Sequence, residues 1–107
     1  MIFMANLYYI ENNGCDDTTH GLARMTDEEF AVFKRVVENL NKNSTYGCMP
    51  IISVYKINDS FVRPATDNDD LDAILYMASS KYVLSDSICT WSLDNGLELK
   101  EGVEKVV

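Results

Sequence analysis

A chain of 107 residues, 47% of them hydrophobic, holds enough apolar material for one core and too little length for two, which predicts a single domain over residues 1–107. Seventeen acidic against nine basic side chains leave a net charge of −8, a balance that disfavours direct nucleic-acid binding and favours a basic protein partner. No apolar run approaches the ~20 residues of a membrane span, the start "MIFMAN" has no basic export-signal character, and three widely spaced cysteines make a poor disulfide framework, so a cytoplasmic chain is expected.

In chain order, "ANLYYIEN" (5–12) is rich in aromatic and β-branched residues and ends at the turn stretch "NNG", which predicts a first strand. Residues 21–25, "GLARM", read as a short extended return. Thr26 and Glu29 have the spacing of a capping box. A helix is therefore expected from about Asp27 to about Asn41, with Phe30, Phe33, Val36, Val37 and Leu40 as its core stripe. "PIISVYKI" (50–57) is a second clear strand, and "SFVRPA" (60–65) a weaker edge strand ended by Pro64. A second helix is expected from about Asp69 to about Ser79, with Leu71, Ile74, Leu75 and Ala78 inward. "SICTWSL" and "LELKEG" flank "DNG", whose Asn95-Gly96 pair suits a type I′ hairpin turn. The expected fold class is α+β: a mainly antiparallel sheet of four or five strands with two packed helices.

The chain's one histidine sits in "NNGCDDTTHG" (12–21), together with Cys15. Both Cys15 and Cys48 follow a glycine, and the expected path places their loops at the same end of the domain. Cys15, His20 and Cys48, completed by Asp16, Asp17 or Cys89, make a reasonable tetrahedral set for one structural zinc ion. The competing reading is inert thiols beside a hydrogen-bonded turn, because the spacing matches no standard finger or ribbon. No glycine-rich phosphate loop or nucleophile–base pairing is evident, so an enzyme is not expected.

Asp67, Asp69, Asp70 and Asp72 crowd into "TDNDDLD" (66–72). They serve either as an acidic helix start or as an anionic face that binds a basic partner in place of phosphates. A calcium loop is disfavoured because the glycine at its sixth position and the glutamate at its twelfth are absent. The six tyrosines are many for this length, and if the first strand is regular, Tyr8 and Tyr9 point to opposite faces, one into the core and one available for contact.

The stretch "NLYYIENNGCDDTTHGLARMTDEEFAVFKRVVENLNKNSTYGCMP" (6–50) resembles, in overall character, small proteins carried by phages and prophages of Gram-positive bacteria. Some small acidic proteins from that setting are anti-CRISPR inhibitors of the type II effector nuclease. The resemblance implies a non-enzymatic, stoichiometric inhibitor in the cytoplasm of a bacterial host cell, which binds the nuclease and blocks target-DNA loading. A small structural or assembly protein of the same mobile element is the second reading, and a metal-dependent enzyme the third.

Overall fold

Leu7, Tyr8, Tyr9 and Ile10 form an unbroken apolar run, and a strand with such a run is stable only where both of its faces are covered. The computed structural model, which describes residues 5–13, 18–42 and 51–107, places this run at the centre of the molecule. It belongs to β1 (Asn6–Asn13), flanked on one side by β2 (Thr18–Met25) and on the other by β3 (Ile51–Ile57). A short β9 (Val103–Lys105) closes the order β2-β1-β3-β9, antiparallel throughout.

Tyr8 and Tyr9 point to opposite faces as expected, but both are buried. On one face Tyr8, Met25, Val37 and Val54 form a core beneath α1 (Asp27–Lys42). The Tyr8 ring stacks on that of Phe30 with centroids 4.6 Å apart. On the other face Leu7, Tyr9, Leu22 and Ile57 pack against Phe61, Leu75 and Ile88 from the second half of the chain. That half supplies a three-stranded sheet of β4 (Val62–Pro64), β5 (Leu75–Met77) and β6 (Ser80–Leu84), in the order β4-β6-β5, and a hairpin of β7 (Cys89–Ser92) and β8 (Gly96–Leu99). The fold is α+β: among the described residues, one helix with three antiparallel sheets, the largest of four strands.

The helix starts where its capping box predicts. The Thr26 N–H donates to Glu29 Oε1 at 3.0 Å, and the Glu29 N–H donates to Thr26 Oγ1 at 3.2 Å. Its inward stripe is narrower than expected. Phe30, Phe33 and Val37 face the sheet, while Val36 and Leu40 lie one row round and are largely exposed beside Val32. Asn41 closes the stripe by donating to the Ile52 carbonyl and accepting from the Ile52 N–H, both at 2.8 Å. Its amide acts there as a short stand-in for a strand, beyond the reach of β9, whose pairing with β3 begins at Tyr55.

The second helix expected over 69–79 is absent. A single 3-10 turn spans Leu71–Ala73, followed by β5 and a tight turn into β6. Two local causes override the helical spacing. Asp69 is drawn back to Arg63 and Thr66, which bends the chain where the helix would start. Leu75 is then buried while Tyr76 faces solvent, the period of a strand, with Lys81 over the Tyr76 ring at 5.9 Å. Leu71, assigned to the inward stripe, is 84% exposed. The C-terminal hairpin forms as expected, but its turn is not type I′: a positive φ falls on Gly96 (+69°), and Ala78 is the one described non-glycine residue with a positive φ.

Ala78 carries a φ of +54° in the two-residue turn between Met77 and Ser80, a conformation that costs an L-residue about 1–2 kcal/mol. Ala78→Gly is therefore expected to raise stability by about 0.5–1 kcal/mol after the entropic cost of glycine. Gly102 is the opposite case, with a φ of +89° and a missing Cβ whose place is crowded by the Asn58 amide and the Phe61 ring. Gly102→Ala should lose roughly 1–3 kcal/mol. Urea denaturation of the two variants checks both signs, and equal stability of all three proteins would contradict the assignment of these turns.

Candidate functional site

The Cys15–His20 region differs from its sequence reading first in secondary structure. His20 lies within β2, directly opposite Glu11 on β1. Cys15, Asp16, Asp17 and Cys48 lie outside the described residues. Residues that flank them, Asn13, Thr18 and Ile51, are register partners at one end of the central sheet. The exposed His20 ring lies against Tyr9, centroids 5.5 Å apart, with Tyr9 Oη hydrogen-bonded to His20 Nδ1. With Nδ1 engaged by Tyr9, Nε2 is the ring nitrogen that would meet a metal. Among the described residues no three His, Cys, Asp or Glu side chains come together in a metal-binding group.

Around Tyr9 the sheet face carries several ionisable groups. Tyr55 lies across from it on β3, ring centroids 6.3 Å apart. Burial, reinforced by Glu11, Tyr55 and Cys89, pushes the Tyr9 phenol up to about 12. Burial, then Glu11, raises Tyr55 as well, against a hydrogen bond with Ser53 that pulls it down. This patch resists negative charge and has no lysine or arginine in a salt bridge with Glu11.

The four aspartates of 66–72 do not act as a unit. Asp69 is engaged with its neighbours: Arg63 donates to both of its oxygens, at 2.7 and 3.0 Å, and the Thr66 N–H adds a bond at 2.7 Å. The guanidinium, followed by the Thr66 N–H, holds this carboxyl well below the usual carboxylate range. Asp67, Asp70 and Asp72 are exposed and make no ion pair among the described residues. They belong to a chain segment that is acidic as a whole. Residues 59–107 carry ten acidic and four basic side chains, a net −6, against seven and five, a net −2, for residues 1–58.

A further surface was not read from the sequence. Cys89 pairs with Leu99 and Trp91 with Leu97 across the β7–β8 hairpin, which puts all four on one face. Trp91 and Leu97 are each 67% exposed and Leu93, in the connecting turn, is 90% exposed. Their alternation along "CTWSLDNGLEL" is the signal for this face, but alternation cannot say whether a face looks inward or outward. The hairpin is fixed at its root by buried Ile88, by the Ser87 hydroxyl donating to the Cys89 carbonyl and by Lys100 Nζ 2.7 Å from Asp86. Lys100 lowers the pKa of that carboxyl.

Compared with known proteins, the chain matches no family model, no curated protein and no solved structure. Among the described residues no helix is long and apolar enough to cross a membrane.

The raised tyrosines set an alkaline limit on stability. A phenol whose pKa is higher in the folded than in the unfolded chain contributes stability that is present below about 10 and lost as pH rises towards 12. Ultraviolet titration should show a late phenol ionising near 12, with stability falling as pH rises towards that value. Tyr9→Phe should remove the latest step and flatten the fall. A titration in which all six tyrosines ionise together near 10 would contradict the burial of Tyr9.

Proposed function

We propose that this chain is a non-enzymatic inhibitor of the phage or prophage type, which binds a basic, nucleic-acid-handling effector nuclease and blocks its loading onto target DNA. The observation that carries the reading is the anionic second half, net −6, in which Asp67, Asp70 and Asp72 present exposed carboxylates with no ion pair among the described residues. Carboxylates in that state steer encounter with a positively charged channel and occupy sites that phosphates would otherwise take. The choice of the type II CRISPR effector nuclease as target comes from the resemblance of residues 6–50 to small phage-borne proteins. A structural zinc ion held by Cys15, His20 and Cys48, with Asp16 or Asp17, belongs to the same proposal. It would tie the two loops at one end of the sheet without an open position for substrate.

Binding and cleavage assays with the purified, guide-loaded nuclease test the reading. A stoichiometric complex should form that no longer binds target DNA. Replacing Asp67, Asp70 and Asp72 together by Asn should weaken the complex by about tenfold and reduce its salt dependence. Elemental analysis of the untagged protein should find about one zinc per chain. Absence of a complex, with self-association of the chain instead, favours the assembly-protein reading. Loss of nuclease activity without a lasting complex favours an enzyme.

A further inference from the structure

We infer that the apolar face of the β7–β8 hairpin is the docking element of this protein, and that it seats on an apolar protein surface bordered by lysine or arginine side chains. The inference deepens the protein-binding reading above and depends on it. Trp91 and Leu97 stand side by side as a cross-strand pair, Leu93 extends the patch at the turn, and Leu99, 41% exposed, continues it towards the core. The opposite face of the same ribbon carries Thr90, Ser92 and Glu98. Apolar side chains are thus sorted onto one exposed face and its tip, while isolated exposed leucines on a surface would need no explanation. A tryptophan flanked by leucines has the composition of an interface hot spot.

The charges around the patch select the partner. Asp94 follows Leu93 at the tip and Glu101 lies just beyond β8, while Glu98 adds its charge from the other face of the ribbon. The single cation of the segment, Lys100, is taken by Asp86 at 2.7 Å. On the sheet, the Tyr9–Tyr55 patch approached by Cys89 adds Glu11. A second copy seated on this face would bring like charges together, and an anionic lipid surface would repel it. A cationic border around an apolar centre is the complement of this surface.

Trp91 is the chain's one tryptophan, so its emission reports directly on burial of the hairpin face. The probe is a synthetic amphipathic peptide with a leucine face bordered by lysines, compared with the same peptide carrying glutamate at every lysine. The lysine peptide should bind the full-length chain, shift Trp91 emission to the blue and lose about tenfold in affinity between low and high salt. Leu97→Asp should abolish the shift and weaken binding by at least about tenfold while leaving the melting temperature nearly unchanged, since Leu97 is exposed. Asp94→Asn with Glu98→Gln should reduce the salt dependence and keep the shift. Four outcomes overturn the inference: equal binding of the glutamate peptide, binding of the lysine peptide with no change in Trp91 emission, self-association of the free chain that Leu97→Asp abolishes, or a blue shift on zwitterionic vesicles that exceeds the shift on the lysine peptide. The self-association outcome would count against the inhibitor reading as well, whereas the other three leave the aspartate variants of the nuclease assay untouched, so the two readings are distinguished by them.

Discussion

Everything in this molecule depends on burying β1 from both sides. Tyr8 must be covered by the helix and Tyr9 by the second half of the chain, on opposite faces of the central sheet. Fully burying an aromatic or branched side chain is worth roughly 1.5–3 kcal/mol, so loss of either layer would cost a large part of a small domain's stability. The labour is divided along the chain: β1, β2, β3 and α1, completed by β9 at the C-terminal end, build the sheet and its helix, and residues 59–99 cover the remaining face.

That division explains where surface is left over. The covering half is assembled from strands of three to five residues, too short to hide much of themselves, and its interior is spent on Phe61, Leu75, Val83 and Ile88. The hairpin beyond Ile88 has no layer above it. Its apolar face and the carboxylates nearby are thus exposed by construction, on the same half that carries most of the negative charge. A rigid central sheet with an accessible acidic and apolar outer layer is a physically coherent way to present a binding surface.

How much of this was legible depends on which forces are local. The first strand, the capping box at Thr26, the helix it starts and the C-terminal hairpin all follow from contacts within a few residues, and all are present. The segment 69–79 was misread because its four apolar positions fit a helix. The decisive contacts are the Arg63–Asp69 pair and the pairing of Leu75–Met77 with β6, which periodicity does not contain. Val36 and Leu40 were misplaced for a similar reason: a stripe defines a direction only once the width of the receiving sheet is known. One strand alone leaves either Tyr8 or Tyr9 available for contact, because it does not reveal that both of its faces will be covered. For the site, acidity was visible from composition, but the engagement of Asp69 and the outward aspect of Trp91 and Leu97 required three-dimensional pairing.

A middle sheet buried on both faces and an outer hairpin exposed on its apolar face should differ in local stability, and native-state hydrogen exchange tests this most directly. Amides of β1 and β3, between Leu7 and Ile10 and between Val54 and Ile57, should be the slowest to exchange and should open only with global unfolding. Amides of the 89–99 hairpin should exchange at least about a hundredfold faster through local opening. Hairpin amides as well protected as those of β1, with the same denaturant dependence, would contradict it.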